Sequence, residues 1–315
     1  LSTSIFQGSQ IDELAALLAV AEQGSFIAAS RVLQRHQTIV SKRIAALEHR
    51  LGVRLLERTT RKVRLTEAGK CLADRLRVAA DAIAEAEQEA LSGATELRGK
   101  LRLSLPAAMG RLWLASSLPD FMRRYPNLEV EVDYTERCVD LVGEGFDAAI
   151  RVGALADSRL IARKLGNHRI VLGASPGYCA NHGYPGSPVD LARHNVLEYT
   201  GPVSSPELWL SNGHRRESFV PCGSFRSNDI TALLEGAREG IGIVCAGEWL
   251  MARDFAVGSL VRILQSWDFE AGGGVYLVRP SVHYSVARTE AFATWISELF
   301  ASGSPWESIL PEDSR

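Results

Sequence analysis

The chain has 315 residues, 46% of them hydrophobic and 23% charged, with a formal net charge of −2. That is enough chain for two or three domains with well-buried cores, and no run approaches the ~18 apolar residues of a membrane span. The opening LSTSIFQGSQ has no basic stretch leading into an apolar one, so no export signal and a cytoplasmic location are expected. The charge is unevenly placed. Between Arg31 and Arg64, ten basic residues face only Glu48 and Glu57, a local excess of +8 that the remainder of the chain must offset. A basic module on a mildly acidic body points to a polyanionic partner for that module alone.

In chain order, Ile11, Leu14, Leu17, Leu18 and Ala21 recur at helical spacing and predict a first helix that stops near Gly24. Ser25 is a hydroxyl cap for a second helix, SFIAASRVL, which buries Phe26, Ala29 and Leu33. After a turn through Gln34–His36, Val40, Ile44, Leu47 and Leu51 form one apolar stripe on a third helix. The stripe leaves Gln37, Thr38, Ser41, Lys42, Ala45 and Glu48 facing away from the core. Gly52 ends the helix, and two short strand-like runs (Arg54–Leu56 and Val63–Leu65) flank a basic turn. Helix, turn, helix and basic wing make a winged helix-turn-helix over residues 8–65.

Thr66 then caps a long helix with Glu67 in its first turn. Within it Leu72, Leu76, Ala79, Ile83, Ala86 and Ala90 alternate steps of four and three, a heptad seam that predicts a dimer through this linker, residues 66–98. Gly93 and Gly99 mark its end as a hinge. From Lys100 the pattern alternates strands with helices: KLRLSL, GRLWLASSLPDFMRRYP, LEVEVDY, CVDLVGEG (a short helix), DAAIRVG, HRIVLGAS, SPGYCANHG, DITALLEGAREG, IGIVCA, GGVYLVRP and SVARTEAFATWISELF. Such alternation predicts mostly parallel sheets covered by helices on both faces. More than two hundred residues exceed one ordinary domain, so two α/β subdomains with a cleft between them are expected.

Several of these segments together resemble the LysR-type transcriptional regulators over essentially the full chain. GSFIAAS and VSKRIAALEHRLGVRLLERTTRKVRLTEAG match that family's helix-turn-helix and wing. DAAIRVG, LIARKLG, SPGYCANHGYP with DLARHNVL, and EGAREGIGIV resemble its effector domains. The resemblance implies a periplasmic-binding-protein-like effector domain of two Rossmann-like α/β subdomains over 99–302. Subdomain I would comprise about 99–172 and 270–302, and subdomain II about 173–269. It also implies a homodimer or, more often, a homotetramer that binds and bends double-stranded promoter DNA, works with RNA polymerase and responds to a small metabolite. No membrane and no other cofactor enter that scheme.

A recognition helix reads base edges with residues near its N-terminus, while basic groups and helix N-termini hold phosphates. Gln37 suits adenine and Thr38 a thymine methyl; Ser41, Lys42 and Arg43 suit phosphate or guanine. Ser25, Arg35 and His36 complete the helical candidates, and Arg58, Arg61 and Lys62 are the wing contacts. At His36, Gln37 and Thr38 the family usually has Ser or Thr, then Gln or Pro, then Pro or Ser. His36 is a poor cap, so either Thr38 caps a later-starting helix or His36 faces DNA. Carried over from the family, the effector would touch Pro106, Ala107, Ala108, Met109, Arg151, Gly153, Thr200, Gly201, Ser227 and Asn228. Ala107 and Ala108 stand where relatives often have hydroxyls, which leaves backbone N–H groups as the donors; Arg151 serves equally as an ion-pair residue.

The five cysteines (Cys71, Cys138, Cys179, Cys222, Cys245) are scattered, with no C-x-x-C and no histidine at zinc spacing. Reduced thiols are expected, with a redox-sensing pair as the alternative use. No G-x-S-x-G, H-E-x-x-H or P-loop is present, so catalysis and metal binding are not expected. The competing reading from another class is a solute-binding protein whose basic module is incidental.

Overall fold

A computed structural model describes residues 8–58, 63–92, 97–155, 160–202, 207–280 and 287–310. Two compact units result, the first carrying the N-terminal helices and wing and the second every later strand. In the first unit, α1 (Gly8–Gln23), α2 (Phe26–Val32) and α3 (Gln37–Leu51) pack around Ala16, Val20, Ala29, Val40 and Ile44, with Phe26 and Leu33 half-buried against them. The antiparallel strands β1 (Leu56–Arg58) and β2 (Val63–Leu65) form the wing, and α4 (Glu67–Ser92) follows. Leu51 departs from the expected stripe. It is 42% exposed because the helix closes at Gly52, whose left-handed φ of 70° returns its N–H to the Glu48 carbonyl.

Thr66 caps α4 as its position predicts: its hydroxyl accepts from the Gly69 N–H at 3.0 Å and donates to the Arg54 carbonyl at 2.8 Å. Gly69 is required by a close approach, since a Cβ there would lie 2.0 Å from the Leu55 carbonyl oxygen.

The second unit holds two five-stranded sheets. The first runs β4 (Leu128–Tyr134), β3 (Gly99–Leu105), β5 (Ala148–Gly153), β15 (Gly273–Pro280), β6 (Leu160–His168), with Leu101, Leu103, Ala148, Ile150 and Val275 fully buried. The second runs β11 (Arg226–Ser227), β8 (Val196–Tyr199), β12 (Ile243–Gly247), β7 (Ile170–Ala174), β13 (Val261–Ile263). The expected two α/β subdomains are present, but the sheets are mixed rather than mostly parallel. β3 is parallel to β4 and β5, and β8 to β11 and β12, whereas β15 runs antiparallel to both its neighbours and β7 to both of its own. The reason is connectivity. β6 passes to β7 through Arg169 alone, so β7 enters the second sheet without a helical crossover, and β15 returns to the first sheet after that excursion.

Further differences are local. The segment GRLWLASSLPDFMRRYP is not one helix: α5 (Ala107–Met109) runs into a π-helical turn at Gly110–Leu114, and α6 (Leu118–Arg124) restarts with Pro119 in its first turn. CVDLVGEG forms turns, with Gly145 at φ 71°, instead of a helix. A three-stranded antiparallel sheet of β9 (Leu208–Ser211), β10 (Arg216–Phe219) and β14 (Asp268–Phe269) is not expected from the sequence pattern. The helices α7 (Pro176–His182), α8 (Ile230–Arg238), α9 (Glu248–Val257) and α10 (Ala287–Leu299) complete the unit.

The imidazole of His168, at the end of β6, is pushed down from 6.5 to about 4 by burial. The unfolded chain therefore takes up this proton at higher pH than the folded chain. Stability is retained above pH ~6.5 and falls as pH drops through the window from 6.5 to 4, by roughly 3 kcal/mol from this group. Urea melts at pH 7 and pH 4.5 check this: a His168→Gln variant should show a flatter pH dependence than the parent chain, and an equal slope would refute the assignment.

Candidate nucleic-acid interface and effector cleft

The first turn of α3 stands on a buried footing. Val40, Ile44 and Leu47 are fully buried, while Gln37, Thr38, Ile39 and Lys42 are exposed and Ser41 is half-buried. The helix starts directly after His36, whose Nδ1 accepts from the Thr38 N–H at 3.4 Å and lies 3.1 Å from the Thr38 hydroxyl. Thr38 is therefore not the cap of a later-starting helix; His36 caps it with its ring, which places the imidazole hydrogen on Nε2. His36 is also exposed, so capping leaves it on the same face as Gln37.

Other candidates are distributed differently. Ser25 is the α2 cap, its hydroxyl accepting from the Ala28 N–H at 3.5 Å. Arg35 is exposed and donates to the neighbouring Gln34 carbonyl. Arg43 is turned away from the exposed face, its guanidinium paired with Asp12 of α1. Arg50 makes the parallel link from α3 to Glu13 at 2.9 Å. Arg58 closes β1, and Arg61 and Lys62 lie outside the described residues.

One residue placed on the solvent face by its spacing holds the wing instead. The Glu48 carboxylate accepts from the N–H groups of Leu55 and Leu56 at 2.8 and 3.1 Å, fixing the entry into β1 against α3.

Along α4, Leu72 and Leu76 are half-buried against Leu17, Leu47 and Leu55, so the first two seam residues are already packed within their own unit. Ala79 and Ile83 are open, the latter 51% exposed, with Val78 beside them. The side chains of Ala86 and Ala90 lie outside the described ones.

In the second unit, Pro106, Ala107 and Ala108 form the turn from β3 into α5, and Met109 is fully buried in the core. Met109 therefore packs in the core. The Ala108 N–H donates to the Glu136 carboxylate at 3.2 Å, so the backbone donor expected for a ligand already holds an anion of this chain. Arg151, on β5, donates to the buried Ser104 hydroxyl at 3.4 Å, and Gly153 ends that strand at φ 102°.

On the other sheet the Thr200 N–H donates to the Ser227 carbonyl at 2.9 Å, and the Ser227 hydroxyl accepts from the Asp229 N–H at 3.0 Å. Asn228 between them is exposed. Gly201 is buried against the Tyr199 phenol, where a Cβ would fall 2.0 Å from the hydroxyl oxygen.

Tyr199, at the end of β8, stands near two carboxylates. Burial raises its pKa first, and the charges of Glu136, after β4, and Asp229, before α8, raise it further. Asp229 is itself held below the usual carboxylate range by hydrogen bonds from Thr231, with the Arg111 charge adding to the effect. Arg111 also lies over the Tyr134 ring, 5.9 Å from its centre. Glu136 and Asp229 bond two of the positions carried over from the family, Ala108 and Ser227, and sequence spacing had singled out neither of them, nor Tyr199 or Arg111. None belongs to a recognisable motif, and only the fold brings them together.

All five cysteines are free; Cys71, Cys138 and Cys222 are exposed. Burial pushes the Cys245 thiol up to about 12 and raises that of Cys179, the reverse of what a reactive thiolate needs. No helix among the described residues is long and apolar enough to cross a membrane.

A winged helix-turn-helix unit followed by two α/β subdomains defines a DNA-binding regulator with an effector-binding domain. The comparisons with known proteins agree on both parts: residues 11–70 match the bacterial regulatory helix-turn-helix protein, lysR family, and residues 94–301 match the LysR substrate binding domain. The chain belongs to the LysR family of transcriptional regulators.

It is 34% identical to the transcriptional regulator PtxR of Pseudomonas aeruginosa over 91% of this chain and 92% of that one. Among solved structures it resembles CrgA, a LysR-type regulator of Neisseria meningitidis, with 31% identity and a TM-score of 0.60 over 91% of this chain and 98% of that one. The full-length virulence activator AphB of Vibrio cholerae gives 26% identity and a TM-score of 0.58 over the same shares.

Proposed function

We propose that this regulator reads promoter DNA with the first turn of α3 and the basic wing. In this reading it assembles through the open apolar positions of α4 into a dimer and then a tetramer. A small-molecule effector bound between the two sheets changes the relative placement of the DNA-binding units, and hence the bending of the promoter seen by RNA polymerase. The chain acts in the cytoplasm by binding alone, with no catalytic step and no cofactor beyond the effector.

The observation that carries the reading is the α3 surface. Gln37, Thr38 and Lys42 are exposed on a helix whose opposite side is fully buried, within a unit that matches the lysR helix-turn-helix. The effector part is supported by the match of residues 94–301 to the LysR substrate binding domain.

A gel-shift titration of the full chain on the DNA upstream of its own gene, against random duplex of equal length, tests the proposal. Specific binding should exceed non-specific binding by about a thousandfold or more at moderate salt. Equal affinity for the two duplexes would sink it.

A further inference from the structure

A second cleft shares no lining residue with those carried over from the family, although Gly273 in its wall lies against Gly153. Its volume is about 1000 Å³, and it opens where the chain crosses between the two sheets. Its walls come from the β6-to-β7 passage (His168, Arg169), the β14-to-β15 passage (Asp268 to Gly273), the start of α9 (Glu248) and the segment after α10 (Ser302 to Leu310). We propose that this cleft is a ligand site for an organic ammonium ion carrying an apolar body, distinct from the effector cleft.

The charge of the walls selects a cation. Glu248, Asp268 and Glu307 line the cleft against a single guanidinium, Arg169. Arg169 is already shared between Glu248 at 3.8 Å and Asp268 at 3.4 Å, and Arg262 behind the wall also pairs with Glu248 at 3.4 Å. Glu307 has no ion-pair partner among the described residues. It lies close enough to Glu248 to add to the upward shift that burial imposes on that carboxyl. His168 supplies no compensating charge. Its Nδ1 accepts from the Trp249 indole N–H at 3.3 Å, and the imidazole stays neutral near pH 7.

A second feature points to a missing partner. The Ser304 side chain is only 5% exposed, and its hydroxyl has no hydrogen-bond partner among the described residues although it stands on the cleft wall. A hydroxyl in that position accepts from an ammonium as readily as it accepts from water. The apolar body of the ligand has Phe269 and Leu299 to lie against, with the buried Trp306 behind them. Trp306 is itself held rigid between Trp113 and Phe300, with ring centres at 5.9 and 6.0 Å.

Benzylamine is the probe, titrated into the full chain at pH 7.5 and followed by tryptophan fluorescence and calorimetry. Saturable binding is expected, with benzoate at the same concentrations giving none. Glu307→Gln should weaken the amine about fivefold, as expected for loss of a partly screened ion pair, without changing the melting temperature. Ser304→Ala should weaken it as well. Absence of saturable benzylamine binding, equal binding of benzoate, or a Glu307→Gln variant that binds the amine like the parent would each overturn the proposal.

Discussion

Replacing Lys42 by alanine is expected to weaken promoter binding at every sequence alike and to flatten its salt dependence. Lys42 is exposed one turn into α3 and has no ion-pair partner among the described residues, so its ammonium is available to a phosphate. One phosphate contact contributes close to one unit to the slope of log K against log salt. Gln37→Ala should behave differently. A bidentate contact to a base edge discriminates by about 1–3 kcal/mol at one base pair, so specificity at that pair relaxes while the salt slope stays nearly constant. Fluorescence anisotropy on the upstream duplex and on single-base variants, over a range of salt, separates the two effects. If Lys42→Ala leaves the slope unchanged, the residue does not touch the backbone.

The same experiment gives Arg43 a different expectation. Its charge is spent on Asp12 of α1, so Arg43→Ala should loosen the α1–α3 contact and leave the salt slope alone. Charge and spacing could not make that distinction, because Lys42 and Arg43 are neighbours in a basic run and the partner of one is 31 positions away. Glu48 was hidden for a similar reason. Periodicity assigns a carboxylate opposite an apolar stripe to solvent, yet the chain folds back and offers it two backbone N–H groups.

The elements with strong local periodicity were legible: α1 to α4, the wing, and the strands of both sheets with continuous apolar runs. What stayed hidden depends on where the chain returns. The antiparallel course of β15 beside β5 and β6 follows from its late re-entry, and nothing within GGVYLVRP encodes its direction. The β9, β10 and β14 strands are two to four residues long, too short to show a period. The effector cleft was reached only through resemblance, and that route included Met109, a core residue, while passing over Glu136 and Tyr199.

Replacing Asp254 by alanine is expected to destabilise the second unit. The Asp254 carboxylate is almost fully buried and takes two hydrogen bonds from the Arg238 guanidinium, at 2.7 and 2.8 Å, and one from the Ser259 hydroxyl at 2.7 Å. The pair locks α8 to α9. Losing the carboxylate leaves Ser259 without its acceptor and releases a guanidinium that is itself 35% exposed, at a cost of roughly 1–3 kcal/mol. Arg238 retains Glu235 as a second partner, and that contact is exposed enough to make up little of the loss. Asp254→Ala should therefore lower the urea midpoint with the denaturant slope unchanged. The consequence reaches the effector cleft, because α8 begins at Ile230 directly after Ser227, Asn228 and Asp229. A loosened α8 releases that edge, so effector response should weaken at temperatures where the DNA-binding unit still binds promoter. An unchanged midpoint for Asp254→Ala would mean that the pair contributes no net stability and that α8 is held by its apolar face alone.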